Sequence, residues 1–342
     1  MLRFTSDYME GCHPAILEKL QAINFDKNTG YGLDPYCDSA RAKIREACQC
    51  PDANVQFLVG GTQTNMLIID AMLRYNEGII ACATGHINVH ESGAIEACGH
   101  KVMPVKGTLG KIDLPALRQY LEAFYRETSE VGIEHYVMPR AIYLSFPTEL
   151  GTLYTLAELQ ELRELASQYG LFLMIDGARL GYGLAASSEV TLPELARMAD
   201  AFYIGGTKVG AMFGEAVVVP HPAIELTRGL IKRRGALLAK GWLLGVQFDT
   251  LFTDGLYEAI SRNAISRAMA IKTALVEKGY SLYIDSPTNQ QFVVMSNQKM
   301  DELSEAVQFD YISPFDETRS VVRFATSWAT TSEQVEALAT LL

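Results

Sequence analysis

The sequence predicts an α/β fold built on a mainly parallel β-sheet of about seven strands, with helices on both faces. Between residues 55 and 220, short β-rich runs alternate with longer amphipathic segments. Near-continuous apolar runs are typical of strands covered on both faces, and strand–helix alternation indicates parallel pairing with right-handed crossovers. The predicted strands are Val55–Val59, Ile79–Ala83, Lys101–Val105, Ala141–Phe146, Leu171–Ile175, Ala201–Ile204 and Ala216–Val219.

The segments between these strands have the apolar spacing of helices that pack on a sheet. Asp113 and Thr155 are good N-cap residues, and Thr155 has a glutamate three residues on, as in a capping box. The predicted helices cover Thr62–Arg74, Leu114–Glu127, Leu156–Tyr169 and Leu192–Met198.

After the predicted sheet, the chain changes character. Residues 230–278 have a helical pattern without a strand signal, and short strands and a closing helix from Ser332 follow. The three strands are predicted over Ser281–Ile284, Phe292–Ser296 and Val321–Thr326. We therefore expect two domains: residues 1–240, an N-terminal arm and a large domain, and residues 241–342, a linking helix and a small α+β domain.

Composition narrows the class of partner. The 342 residues carry a net charge of −11 and no block of basic residues, which disfavours nucleic acids and anionic membrane surfaces and favours a small-molecule substrate. No apolar run is long enough to cross a membrane. The six cysteines lack CxxC spacing and no secretory leader is evident, so we expect free thiols and a cytoplasmic location.

A strand-to-helix junction at Gly60-Gly61-Thr62 is a candidate anion site. Two glycines let the backbone approach an anion, and the following helix directs free N–H groups and its dipole toward it. An ordinary strand–helix turn is the alternative. The segment is not a GxxxxGK[ST] loop, which disfavours a nucleoside triphosphate.

Two apolar strands end near residues that suit a pyridine cofactor bound as an imine. Asp176 ends one strand, where a carboxylate can pair with a protonated pyridine nitrogen, although it can also cap the next helix. Lys208 follows the next strand among small residues, where its amine can condense with an aldehyde. A solvated surface lysine is the ordinary alternative. Desolvation and nearby positive charge would lower the pKa of such an amine.

Two histidines, His86 and His90, follow the second predicted strand at helical spacing. An aromatic ring here can stack on a flat cofactor, and the pair can also ligate a metal. The order HxxxHE differs from HExxH and no third ligand is evident, so we expect no metal site. His90 as an ordinary helix residue, and a zinc hydrolase that uses both rings, are the alternatives.

The order of these motifs resembles the threonine aldolase and β-eliminating lyase family of fold-type-I pyridoxal 5'-phosphate (PLP) enzymes, over essentially the whole chain. The motifs that carry the resemblance are GTQTN at Gly61–Asn65, DGARL at Asp176–Leu180, TK followed by glycine at Thr207–Gly210, and VRFATSW at Val322–Trp328. It implies a fold-type-I transferase-like architecture, PLP as cofactor, and a homodimer or homotetramer with shared active sites.

The resemblance also implies roles for individual residues. Lys208 would carry PLP as a Schiff base, Asp176 would face the ring nitrogen, and His86 would stack on the ring. The other cofactor contacts would come from Gly61, Thr62, Arg179 and Thr207, and the substrate contacts from Ser6, Tyr31, Arg179 and Arg323. Guanidinium groups suit the substrate carboxylate because they bind it bidentately. Tyr31 and Lys240 would reach an active site across a subunit interface.

The implied reaction is the cleavage of a β-hydroxy-α-amino acid of the threonine or allo-threonine class to glycine and an aldehyde. His86, Glu149 or a water that they hold would remove the β-hydroxyl proton. Some threonine aldolases have a histidine where Glu149 lies and others have glutamate, so substrate preference and stereochemistry stay open. The alternatives are PLP-dependent β-elimination or transamination of another small amino acid, and a non-catalytic PLP-binding protein.

Overall fold

The computed structural model describes residues 1–342. Its strands are β1 (Leu2–Arg3), β2 (Asn54–Leu58), β3 (Glu77–Cys82), β4 (Lys101–Val105), β5 (Gly107–Thr108), β6 (Lys111–Ile112), β7 (Met138–Ser145), β8 (Phe172–Asp176), β9 (Ala201–Gly205), β10 (Glu215–Val219), β11 (Ser281–Ile284), β12 (Gln290–Ser296), β13 (Val307–Gln308), β14 (Asp310–Pro314) and β15 (Arg319–Ala325).

The helices connect and cover these strands, and none of them combines the length and hydrophobicity needed to cross a membrane. They are α1 (Pro14–Ala22), α2 (Pro35–Ala47), α3 (Gly61–Met72), α4 (His86–Val89), α5 (Ala94–Ala97), α6 (Leu114–Val131), α7 (Leu156–Gln168), α8 (Leu180–Ala186), α9 (Leu192–Met198), α10 (Arg228–Arg233), α11 (Trp242–Leu251), α12 (Leu256–Glu277), α13 (Asn297–Ser304) and α14 (Ser332–Leu341).

The central sheet has seven strands in the order β2-β10-β9-β8-β7-β3-β4, and only β10 runs antiparallel to its neighbours. Alternate residues of its strands enter two separate cores. On β8, for example, Leu173 and Ile175 belong to one core and Met174 to the other. Burial on both faces explains the near-continuous apolar runs. The predicted mainly parallel, seven-stranded α/β sheet is confirmed.

A smaller antiparallel sheet of order β11-β12-β15-β14 follows in the last part of the chain. Val293, Val322 and Phe324 form its core together with Leu275 of α12, and Phe4 from the start of the chain packs into the same core. The predicted small C-terminal α+β unit is confirmed. The bounds 1–240 and 241–342 stay a prediction, and the first residues of the chain lie on this smaller unit.

Sequence patterns located the elements better than their ends. The predicted linking helix is two helices, α11 and α12, separated at Asp254 and Gly255, whose φ angles of 51° and 69° cannot continue a right-handed helix. Helices α1, α2, α8 and α13 and strand β14 were not predicted. Most of these elements are too short for periodicity to stand out, and α8 also contains two glycines.

The turns after β8 and β9 approach each other closely. The Gly205 N–H donates to the Gly177 carbonyl oxygen at 2.9 Å. A Cβ atom at Gly177 would lie 1.8 Å from the carbonyl oxygen of Tyr203, so only glycine fits. This contact holds Asp176, the last residue of β8, and the turn after β9, which carries Lys208, at the same end of the sheet.

We predict that Gly177→Ala lowers the free energy of unfolding by about 3 kcal/mol, because the added methyl group overlaps backbone atoms that cannot rotate away. Gly229→Ala is the matched control: Gly229 is exposed on α10, and its nearest neighbouring atom would lie 3.8 Å from the new Cβ atom. That variant should equal the wild type or gain a few tenths of a kcal/mol. Equal urea midpoints for the two variants would contradict the proposed close approach.

Candidate active site

The carboxyl ends of the parallel strands open into a cavity of about 240 Å³, which we call the inner cavity. A second cavity of about 610 Å³, the outer cavity, shares Tyr8, His86, Glu149, Arg179 and Lys208 with it, so the two form one cleft. The predicted site residues that line the inner cavity are Gly61, Thr62, His86, Glu149, Asp176, Arg179, Thr207 and Lys208.

Asp176 is buried at the end of β8 and accepts three hydrogen bonds. The Tyr143 hydroxyl donates to Oδ2 at 2.5 Å, the Asn65 amide donates to Oδ2 at 3.2 Å, and the Ala178 N–H donates to Oδ1 at 3.0 Å. These donors offset the cost of burying a charge. The N-cap residue of α8 is Arg179, so Asp176 does not cap that helix.

Lys208 is half-buried in the same cavity, with its Nζ 5.8 Å from the centroid of the Tyr8 ring. Burial, followed by the positive charge of Arg179, lowers the pKa of its amine to about 8, against the opposing effects of Asp7 and Asp176. An appreciable fraction of the amine is therefore neutral near physiological pH, the form that attacks a carbonyl carbon.

His86 is the first residue of the short helix α4, and its ring contacts the buried carboxylate of Glu91. Its Nδ1 lies 2.7 Å from Oε1 of Glu91, which also accepts the Asn65 amide at 2.6 Å. Burial alone would lower the pKa of His86, but the Glu91 hydrogen bond and the charges of Asp176 and Glu91 outweigh it and raise the pKa. His90 lies at a ring-centroid distance of 5.5 Å, and no group of three His, Cys, Asp or Glu side chains could hold a metal.

The first turn of α3 enters the inner cavity at Gly61 and Thr62. Its N-cap residue, Gly60, supplies no side-chain cap, and the first N–H groups of a helix have no intrahelical acceptor. The Tyr203 hydroxyl is buried without a partner, 3.4 Å from where a Cβ atom of Gly61 would lie. These free donors fit an anion at this end of the cavity.

Glu149 lies between β7 and α4. Its Oε1 accepts the Ser145 hydroxyl at 2.5 Å and the backbone N–H of His86 at 2.9 Å. Burial raises the pKa of the Glu149 carboxyl, against the effect of the Ser145 hydrogen bond. A carboxylate in this state is a stronger proton acceptor than an exposed one.

Arg179 forms a bidentate ion pair with Asp7, at 2.6 Å to Oδ2 and 3.0 Å to Oδ1. Asn289 of the smaller unit donates to the same carboxylate at 2.9 Å. Burial alone would raise the pKa of Asp7, but Arg179 and Lys208 outweigh it and lower the pKa to about 2. The N-terminal segment therefore orients Arg179.

Arg323 lines the outer cavity, where it donates to Gln290 at 2.7 Å, Asp310 at 2.7 Å and the Thr5 carbonyl at 3.1 Å. Its Nε is buried without an acceptor, so the protein does not satisfy every N–H group of the guanidinium. Arg323 therefore has the free hydrogen-bonding capacity that a substrate carboxylate requires.

Three predicted residues do not line either cavity of their own chain: Ser6, Tyr31 and Lys240. Ser6 is half-buried beside Asp7, which makes the contact with Arg179. Tyr31 is exposed and lies against Lys232, whose Nζ is 4.9 Å from its ring centroid.

Sequence reasoning assigned no role to Asp7, Asn65, Glu91, Tyr143 or Glu215, although each contacts or lines the site. Asn65 lies in the GTQTN motif, and Glu91 was considered only as a residue outside a metal pair. Tyr143 lies within an apolar strand, where a buried tyrosine reads as core. A buried hydroxyl needs a hydrogen-bond partner, and this requirement was the only indication in the sequence that Tyr143 contacts a polar group of the site.

The residues of the inner cavity fit a flat cofactor that carries an aldehyde, a protonated ring nitrogen and a phosphate. Lys208 can react with the aldehyde, and Asp176 can pair with the nitrogen. The His86 ring can lie on one face, while the first turn of α3 can bind the phosphate. PLP has these three groups.

We predict that Glu91→Gln lowers the pKa of His86, because the variant loses the charge that offsets burial of the imidazolium. Histidine NMR titration measures this, with His86 assigned from His86→Asn. Glu96→Gln, which changes an exposed carboxylate on α5, is the control and should leave the titration unchanged. An unaltered His86 pKa in Glu91→Gln would show that Glu91 does not hold the imidazolium.

Comparisons with known proteins agree over most of the chain. The model of the beta-eliminating lyase family matches residues 3–301. A threonine aldolase structure from Leishmania major is 38% identical, with a TM-score of 0.95 over 100% of this chain and 98% of that chain. A low specificity L-threonine aldolase from Pseudomonas aeruginosa is 28% identical over 98% of this chain and 96% of its own. A mutant aspartate aminotransferase from Thermus thermophilus shares the fold, with a TM-score of 0.71 and 15% sequence identity. The match covers 100% of this chain and 90% of the aminotransferase.

Proposed function

The chain belongs to the beta-eliminating lyase family, and from this premise we propose that it is a PLP-dependent carbon–carbon lyase. Its substrates would be β-hydroxy-α-amino acids of the threonine and allo-threonine class, cleaved to glycine and an aldehyde. The observation that carries the proposal is the meeting of Lys208 and Asp176 in one cavity. The likeness to two threonine aldolases favours this reaction over β-elimination or transamination.

Six residues of the inner cavity would hold PLP. Lys208 would bind its aldehyde carbon, Asp176 its ring nitrogen and His86 one face of its ring, and Gly61, Thr62 and Thr207 would bind its phosphate. When bound, PLP accepts the electron pair that is released as the Cα–Cβ bond breaks.

Glu149 is the group that we propose to accept the β-hydroxyl proton. It lines both cavities, and burial raises the pKa of its carboxyl. His86 is less suited to this role because Glu91 and Asp176 favour its protonated form, which has no free acceptor nitrogen. A water held by the two side chains is the remaining acceptor.

The substrate carboxylate would be bound by Arg323 and Arg179 across the outer cavity. The unpaired Nε of Arg323 supports this assignment. Asp7 holds the Nε and one Nη of Arg179, so the guanidinium keeps one orientation when the substrate enters. Ser6 stands next to Asp7 in the chain and is proposed as an additional contact.

We propose a homodimer or homotetramer in which Tyr31 and Lys240 complete the site of a neighbouring copy. Both side chains are exposed on their own chain. Phe25 and Leu33 are 95% and 57% exposed in the same segment as Tyr31, and exposed apolar residues of this kind are typical of an interface. A cytoplasmic location is proposed because the six cysteines form no disulfide.

We predict that the purified protein absorbs visible light and releases acetaldehyde and glycine from L-threonine or L-allo-threonine, and that Lys208→Ala loses at least about 1,000-fold in kcat/KM because it lacks the amine that reacts with PLP. Acetaldehyde is measured with alcohol dehydrogenase and NADH. The matched control is Lys299→Ala, on α13, which should retain wild-type rates.

Two outcomes would contradict these assignments. Wild-type rates in Lys208→Ala would exclude the lysine. Pyruvate and ammonia from serine, with no acetaldehyde from either threonine isomer, would assign the protein to the β-eliminating alternative instead.

We predict that Glu149→Gln lowers kcat about 100-fold and changes KM little, because the amide cannot accept the proton but keeps the hydrogen bond from His86. The wild-type carboxylate is active only above its pKa. Since that pKa is raised above 4.5, wild-type kcat should fall as the pH drops through the raised value. The Gln variant should lack this acid limb, and Glu122→Gln on α6 is the control. A kcat within twofold of the wild type would contradict the assignment and favour His86.

A further inference from the structure

Glu215 is a buried carboxyl in the wall of the inner cavity that the proposed reaction does not use. It is the first residue of β10, the antiparallel strand between β2 and β9. It pairs with Leu58, the last residue of β2, and with Gly205, the last residue of β9. The register places it beside the turn that starts α3 and the turn that carries Thr207. These two turns supply the proposed phosphate contacts.

The contacts of Glu215 leave part of its carboxyl available to a ligand in the inner cavity. Oε2 accepts the Gly206 N–H at 3.0 Å, and the residue is 2% exposed. A negative charge here would lie next to the site that the first turn of α3 offers to a phosphate. Two anions in one buried cavity repel each other, whereas a protonated carboxyl can donate a hydrogen bond to the phosphate.

We propose that Glu215 is a cofactor-binding residue that holds the PLP phosphate by donating a hydrogen bond from its protonated carboxyl. This inference rests on the proposed function, because it requires PLP in the inner cavity. With a carboxyl at this position, phosphate binding depends on whether Glu215 carries a proton. An amide or a hydroxyl at the same position would donate whether the pH is neutral or mildly alkaline.

The surroundings of Glu215 favour the protonated form. Burial raises the pKa of its carboxyl to about 8, and the charge of Asp176 adds to this, while hydrogen bonds from Thr207 and Gly206 and the charge of Lys208 oppose it. Tyr203 of β9 and Tyr257 of α12 also face this group. β2 has no titratable residue, and the one on α3, Asp70, lies far along the helix, paired with arginines.

The sign of the pH dependence follows from the proton. The phosphate of PLP is a dianion from pH 7 to pH 9, since its second pKa is about 6. As the pH rises through about 8, Glu215 loses the proton that it donates, and PLP binding weakens. Lys208 also titrates near pH 8, but it does so in the wild type and in a Gln variant alike.

The test measures the affinity of the full chain, freed of cofactor by dialysis against hydroxylamine, for PLP and for pyridoxal, which lacks the phosphate. From pH 7 to pH 9, the wild-type affinity for PLP should fall about tenfold relative to Glu215→Gln, whose amide donates at both pH values. Pyridoxal should show no such difference. Glu215→Ala should weaken PLP binding about tenfold at pH 7, and Glu161→Gln on α7 is the control.

Each other result overturns the inference. Parallel pH profiles of the wild type and Glu215→Gln would show that the proton is not used. The same shift with pyridoxal would show that Glu215 acts on Lys208 and not on the phosphate. If Glu215→Ala does not fold, the isosteric Gln variant decides. A wild-type chain that binds neither ligand would refute the proposed function itself, a result distinct from parallel profiles.

Discussion

The carboxylate of Asp176 is buried at the end of β8, and several residues of the site are placed where they donate hydrogen bonds to it. Burying a carboxylate costs several kcal/mol unless donors surround it. Its donors come from three separate elements: Tyr143 on β7, Asn65 on α3 and the N–H of Ala178 in the following turn. Because the sheet and the helix fix these donors, the carboxylate stays in one position, where it can pair with a protonated ring nitrogen.

That arrangement extends through the rest of the cavity. The Asn65 amide joins Asp176 to Glu91, and Glu91 holds the His86 ring. On the opposite side, the Asp7 ion pair positions Arg179, whose charge adds to burial in lowering the pKa of Lys208. The amine becomes reactive through the same packing that orders its neighbours. Buried hydrogen bonds and ion pairs thus account for the geometry of the site, and together with burial they shift the pKa values of His86 and Lys208.

The parts of the site that sequence could predict lie at the ends of apolar strands. Asp176 ends one such strand and Lys208 follows the next. Because the two strands are parallel neighbours, their carboxyl ends lie side by side. Asp7 was missed because its partner, Arg179, lies 172 residues away along the chain. Glu91 was missed because it reaches His86 across the short helix α4, which the sequence pattern does not reveal. Glu215 was missed because pairing with Leu58 and Gly205 decides its position, and register between distant strands is not visible along the chain.

The central claim is that one amine, that of Lys208, binds the cofactor opposite Asp176. Reduction of the purified protein with borohydride, followed by digestion and peptide mass spectrometry, tests it directly, because reduction makes an imine bond permanent. A pyridoxyl group on the peptide that contains Lys208, in close to one copy per chain, is the expected result. The same group on another lysine, or on none, would contradict the account.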